Sequence, residues 1–271
     1  MSKYLNNIYI KMKNPKTKLI ILFLIFISYA YVNSIFAQPS RFEKNKFIND
    51  KGDTLNYCSL YPDYNPSRKY PLVIFLHGSG ERGNDNESQL KWGVMKFATD
   101  QAMSMYPAIV IAPQCPANQK WSNFKSKDNS REMQLQATPS KPMELLYQLI
   151  QQLIKTSSVD TNRIYITGLS MGGYGTFDAI SRYPHLFAAA VPVCGGGDTS
   201  KAALIAHIPI WIFHGSEDAV VNPLFSVDML SALINVHAHP GFTMLPETGH
   251  FSWIAAYNDP LMIEWMFRQH K

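Results

Sequence analysis

Arg163-Ile164-Tyr165-Ile166-Thr167-Gly168-Leu169-Ser170-Met171-Gly172-Gly173 is the stretch on which the reading of this chain turns. The run Arg163–Thr167 reads as a strand, and the residues after Ser170 read as the start of a helix. A serine between two glycines at such a junction is the pattern of a nucleophile elbow. A serine hydroxyl is a weak nucleophile, so it must stand clear of the backbone where a histidine can take its proton. A sharp strand-to-helix turn achieves this in a strained conformation, and residues two places either side must then be very small. Gly168 and Gly172 meet that demand.

Outward from this turn, the chain alternates apolar runs with helical patterns. Pro71–Leu76 and Ala108–Ala112 are continuously apolar, as expected for parallel strands buried on both faces. Ala188–Val193 and Ile210–Phe213 repeat the pattern, and Phe242–Leu245 reads as a shorter final strand. Ahead of them, alternating residues near Phe42–Asn49 and Thr54–Tyr61 flank Asp50-Lys51-Gly52-Asp53, an antiparallel hairpin signal. The clearest helix carries Leu145, Leu146, Leu149, Ile150, Leu153 and Ile154 on one face, with Ser140 and Pro142 near its start. Further helices are expected after Ser170, over Pro223–Ile234 and from Trp253 to Arg268, with a weaker pattern from Ser88 to Ala102. The fold class is therefore α/β: a mostly parallel, doubly wound sheet with an N-terminal antiparallel hairpin.

In such sheets ligands bind beyond the carboxyl ends of the strands. The residues there are His77-Gly78-Ser79-Gly80-Glu81-Arg82-Gly83, Ser170, His214-Gly215-Ser216-Glu217-Asp218 and Pro246-Glu247-Thr248-Gly249-His250. Serine, acid and histidine in the order Ser170, Asp218, His250 resemble the α/β-hydrolase fold, and the resemblance runs from about Lys46 to Lys271. With Pro113-Gln114-Cys115-Pro116 and Gly168–Gly173, the His77–Gly83 loop is similar to that of secreted esterases related to polyhydroxybutyrate depolymerases and to feruloyl and acetyl-xylan esterases. The resemblance implies carboxylic ester hydrolysis by a Ser-Asp-His triad, without a cofactor.

The catalytic candidates are thus Ser170 as nucleophile, His250 as general base and Asp218 as the acid that fixes the imidazole. Asp198, after Cys194-Gly195-Gly196-Gly197, is the alternative acid. The oxyanion hole is expected from the backbone N–H of Met171 with that of Ser79 or Gly80. His77 and His214 read as structural, and His237 and His239 as surface residues. Glu81 and Arg82 read as an ion pair bracing their loop, with contact to substrate the alternative, and Trp92, Trp121 and Trp253 as candidates for the substrate pocket. No Cys-x-x-Cys or His-x-x-x-His spacing suggests a metal site.

Composition narrows the setting. Residues 1–37 hold Lys3, Lys11, Lys13, Lys16 and Lys18, no acidic residue, the apolar run Leu19–Ile27 and Ala37 before Gln38-Pro39. That is the pattern of a secretory signal peptide, with 38–271 as the catalytic domain and Met12 as a possible internal start. As a membrane anchor the run falls short of the roughly 20 residues that span a bilayer. The whole chain has 25 Lys+Arg against 20 Asp+Glu, so removing those five lysines leaves the signs balanced. Nothing then favours nucleic acid as a partner. A secreted or periplasmic enzyme would meet polysaccharide-linked esters. Cys58, Cys115 and Cys194 read as packing residues. The competing functions are a prolyl-oligopeptidase-like serine peptidase and a catalytically inactive binding module on the same fold.

Overall fold

A computed structural model describes residues 41–63, 65, 67–126 and 131–271. The expected signal peptide, 1–37, lies outside the described residues. From Phe42 onward the chain folds as one compact unit. It opens with β1 (Glu43–Ile48), β2 (Thr54–Leu60), β3 (Tyr70–Leu76), α1 (Asp100–Met105) and β4 (Ile109–Pro113). Next come β5 (Phe124–Ser126), β6 (Met133–Leu135), α2 (Lys141–Thr156), β7 (Val159–Leu169) and α3 (Met171–Arg182). It continues through β8 (Ala189–Val193), α4 (Ala202–Ile205), β9 (Trp211–Gly215), α5 (Leu224–Asn235) and β10 (Gly241–Leu245) to α6 (Trp253–Asn258) and α7 (Pro260–Arg268).

Among the described residues, eight strands form one sheet in the order β1-β2-β4-β3-β7-β8-β9-β10. The β1–β2 and β2–β4 pairs are antiparallel, and every pair from β4 to β10 is parallel. Strand pleating divides the core in two. Leu72, Ile74 and Leu76 of β3 face the layer of α2, α3 and α5, where Leu149, Phe177 and Met229 pack. Val73 and Phe75 face the other layer, with Val94, Tyr257, Met262 and Met266. This is why the central strands carry unbroken apolar runs: both of their faces are interior.

α2 follows its sequence pattern closely. Ser140 caps it by accepting the Met143 N–H at 3.2 Å, Pro142 sits in the first turn, and Leu145, Leu146, Leu149, Ile150 and Leu153 are buried. Two other helical expectations need correction. The segment from Ser88 to Ala102 forms two 3₁₀ turns, Ser88–Leu90 and Val94–Ala98, before α1 begins at Asp100. Gly93 divides them with a φ of 73°, and a Cβ there would stand 2.5 Å from Cδ2 of Tyr257. The stretch Trp253–Arg268 is two helices, because Pro260 breaks the backbone ladder and Asp259 recaps it through the Leu261 N–H.

The sequence did not reveal the antiparallel pair β5–β6. It is tied down from outside. Asn123 N–H donates to Asp178 Oδ2 at 2.8 Å, and Leu135 N–H to Asp198 Oδ2 at 2.9 Å. Arg182, paired with the buried Asp178 at 2.6 Å, also donates to the Gln136 and Ala137 carbonyls. All three cysteines are buried and unpaired.

Gly93→Ala should lower stability by about 2 kcal/mol, since it adds both a strained φ and a clash with Tyr257. Denaturant melts of the two proteins measure this, and a change within a few tenths of a kcal/mol would contradict the account.

Candidate active site

β7 delivers Ser170 at its carboxyl end and α3 starts at the next residue. Ser170 has φ 53° and ψ −116°, a conformation that non-glycine residues seldom adopt, and its N–H donates to the Val193 carbonyl at 3.0 Å. The surroundings leave no room to relax. A Cβ on Gly172 would stand 2.0 Å from the Leu76 carbonyl oxygen, and one on Gly168 would stand 2.4 Å from that of Gly172. Both positions therefore require glycine, and the hydroxyl between them is pushed outward.

His250 opens a 3₁₀ turn, His250–Ser252, shortly after β10. Its Nε2 lies 2.9 Å from Ser170 Oγ, and its Nδ1 lies 2.7 Å from Asp218 Oδ2. Asp218 follows β9, and its other oxygen accepts the N–H groups of Val220 and Val221 at 2.9 and 2.8 Å. Burial works to raise the Asp218 pKa, but the hydrogen bonds from His250, Val221 and Val220 outweigh it and hold the carboxyl below its usual range. Asp198 is elsewhere engaged. Its Oδ1 accepts the N–H and hydroxyl of Ser200, and its Oδ2 holds β6. The structure thus brings Ser170, His250 and Asp218 into one hydrogen-bonded series and leaves Asp198 out of it.

The loop after β3 lies against the elbow, where a Cβ on Gly78 would be 2.8 Å from Leu169 Cδ1. His77 fixes this loop: Nδ1–H donates to the Gly78 carbonyl at 2.6 Å and Nε2 accepts the Cys115 N–H at 2.9 Å. Burial pushes the His77 pKa down to about 4, so the ring is neutral in this tautomer. Beyond it, Ser79 and Gly80 are exposed, while Met171 occupies the first turn of α3, where backbone N–H groups have no helical partner.

Two sequence readings fail here. Trp121 was expected at the substrate pocket but is fully buried. Its indole N–H donates to the His77 carbonyl at 3.1 Å, and its ring meets His77 edge-on, so it braces the loop from beneath. Glu81 and Arg82 do not pair: Arg82 donates to the Ser79 and Gln119 carbonyls, while Glu81 is buried and its pKa is raised by burial.

Trp253 stands beside His250, its ring edge-on at 5.1 Å. It is largely covered by Phe251 at 4.7 Å and Trp92 at 6.2 Å, and of these three Phe251 is the exposed one. The sequence reading passed over Phe251, although its place next to His250 is the signal that could have found it. Cys194 also borders the series, with ligand-type atoms of Cys194, Asp218 and His250 within 4.8 Å of one another. Burial pushes the Cys194 thiol up to about 12, and His250 Nδ1 is already bonded to Asp218.

Sheet order, elbow and strand-end residues together define an α/β hydrolase. Residues 65–259 match the phospholipase/carboxylesterase family, so the chain belongs to this family. Among solved structures it is similar to a thermostable esterase, with 40% identity and a TM-score of 0.79, covering 85% of this chain and 64% of that one. It is 26% identical over 164 residues to a bifunctional acetylxylan esterase/xylanase of Neocallimastix patriciarum, covering 60% of this chain and 21% of the relative. It is also 26% identical over 203 residues to poly(3-hydroxyalkanoate) depolymerase C of Paucimonas lemoignei, covering 62% of this chain. The chain spans 21% and 45% of the lengths of these two curated relatives.

The depressed His77 pKa makes stability depend on pH. The unfolded chain takes up this proton near 6.5, whereas the folded protein resists it until about 4. Stability is therefore full above 6.5 and declines as pH falls towards 4, by about 3 kcal/mol from this group. Urea midpoints at pH 7 and pH 4 should differ less in His77→Gln than in the wild type.

Proposed function

We propose that this chain is an exported serine carboxylesterase, working through an acyl-enzyme on Ser170. The observation that carries this reading is the unbroken series Ser170 Oγ, His250 Nε2, His250 Nδ1, Asp218 Oδ2, with spacings of 2.9 and 2.7 Å. In it, His250 takes the serine proton as Ser170 attacks the ester carbonyl. The imidazolium that forms is stabilised by Asp218, whose carboxylate is kept ionised by its hydrogen bonds. Charge on the carbonyl oxygen is met by the N–H groups of Met171 and Ser79, with Gly80 the alternative to Ser79. His250 then protonates the leaving alcohol, and water, activated by the same nitrogen, releases the acid.

The substrate assigned to this site is an ester carried on a polymer, such as an acetyl or feruloyl ester of plant polysaccharide. The similarity to an acetylxylan esterase/xylanase supports this, as does the aromatic wall of Trp253 and Phe251 beside His250. Export rests on the basic, then apolar, sequence of residues 1–37, which leaves 38–271 as the mature enzyme. No cofactor or metal takes part in this scheme.

Hydrolysis of p-nitrophenyl acetate tests the assignment. Ser170→Ala should retain no more than about 10⁻⁴ of the wild-type rate. Asp218→Asn should lose several orders of magnitude in kcat, and Asp198→Asn should retain it. Equal loss in the two aspartate variants would point away from Asp218. Cleavage of acetylated xylan and methyl ferulate, with proline amides left intact, is the expected substrate profile; the reverse would favour a peptidase.

A further inference from the structure

The same oxygen of Asp218 that meets His250 also faces a second imidazole. His214, fully buried at the end of β9, places Nε2 3.3 Å from Asp218 Oδ2 and 3.0 Å from the Val221 carbonyl. Both neighbours are acceptors, so this nitrogen must carry a hydrogen. On the other side of the ring, Nδ1 lies 2.7 Å from Ser226 Oγ, on the buried face of α5. Ser226 Oγ in turn lies 3.0 Å from the Gly195 carbonyl, in the glycine loop after β8. A chain of buried polar atoms therefore joins the acid to α5 and to the loop beside the elbow.

A buried polar group persists where its partners are satisfied, and a purely structural histidine could have faced backbone alone. His214 instead places Nε2 on the Val221 carbonyl, whose residue closes the acid's own turn, with the acid's Oδ2 3.3 Å away. Burial holds its pKa below the usual value, which leaves one ring hydrogen to place. With that hydrogen on Nε2, Nδ1 is an acceptor, and the single Ser226 hydrogen has two acceptors in reach, Nδ1 at 2.7 Å and the Gly195 carbonyl at 3.0 Å.

We propose that His214 is a positioning residue for the acid: held in its Nε2–H form by Ser226, it donates to Asp218 Oδ2, keeps that oxygen in line with His250 and draws off part of its charge. The inference rests on the reading of Ser170, His250 and Asp218 as the catalytic series. Its consequence is electrostatic. A carboxylate that already receives one hydrogen bond attracts the His250 imidazolium less, so His214 keeps His250 neutral, and able to accept a proton, at lower pH. The other titratable groups around the pair are Cys194 at the end of β8, Tyr174 on α3 and the exposed Glu217 next to Asp218. Burial pushes both Cys194 and Tyr174 up to about 12, so neither changes charge on the acid limb.

The test is the pH dependence of kcat/KM for p-nitrophenyl acetate in wild type, His214→Ala, His214→Gln and Ser226→Ala, with melting curves for each. His214→Ala should raise the apparent pKa of the acid limb by about half a unit and lower the optimum about tenfold. His214→Gln, whose amide N–H can reach the place of Nε2, should bring the limb back towards the wild type. Ser226→Ala should shift it the same way as His214→Ala, by less. A folded His214→Ala with the wild-type limb overturns the proposal, as does an equal shift in His214→Ala and His214→Gln. Should His214→Ala fail to fold, Ser226→Ala decides, a shifted limb supporting the proposal and an unmoved one overturning it. Ser170→Ala separates the two levels: undiminished hydrolysis there removes the catalytic series itself, whereas its loss alongside unmoved limbs removes the role of His214 alone.

Discussion

The first turn of α3 rests on the end of β3 so closely that Gly172 can carry no side chain against the Leu76 carbonyl. This contact between two central elements dictates the geometry around it. It fixes where α3 begins, and hence the compressed turn that forces Ser170 to a positive φ. The same contact sets the His77-Gly78 loop, which continues from Leu76, against Leu169 on the other side of the serine. Free N–H groups at a helix start, a lifted hydroxyl and an adjoining loop meet there because two backbones approach without intervening side chains. The strain has to be held by the surrounding packing, and the neighbouring strands supply it through a core that is continuous on both faces.

Around that contact, loops are held by buried polar groups and not by disulfides. His77 spans from Gly78 to Cys115, linking the loop after β3 to the end of β4. Trp121 adds a bond to the same loop from below. Asp178 with Arg182, and Asp198, fasten the β5–β6 pair over α3 and the glycine loop. Each of these groups is costly to bury alone and stable when fully partnered, so together they give the rim of the site defined positions. All three thiols, unpaired in the interior, contribute volume to the core.

What could be read from the sequence follows from which interactions leave a period in it. Buried parallel strands write themselves as apolar runs, so β3, β4, β7, β8 and β9 were legible, and with them the strand ends where chemistry gathers. Ser170, His250 and Asp218 could be named because their order along the chain and their places after strands carry information. By contrast, Phe124–Ser126 and Met133–Leu135 are three-residue strands with mixed side chains, held by distant carboxylates, and nothing local marks them. Depth also leaves no trace: Trp121 beneath the loop and Trp253 beside His250 look alike in sequence. Helices fared worst where one residue decides, as Gly93 and Pro260 do, since a single backbone constraint overrides an apolar pattern around it. Asp218 was preferred to Asp198 from its place after β9, and the structure adds that both oxygens of Asp198 are engaged by Ser200 and Leu135.

Among the described residues β10 lies at the outer edge of the sheet, paired along one side only, with β9. The proposed base hangs from the turn just beyond it, 80 residues after the serine with which it shares a hydrogen bond. A partly synthesised chain that ends with α5, at Asn235, would therefore hold the proposed nucleophile and acid yet lack the proposed base. Competence arrives only when the outermost strand docks, which makes esterase turnover a direct reporter of completed folding and keeps the emerging polypeptide chemically silent until then.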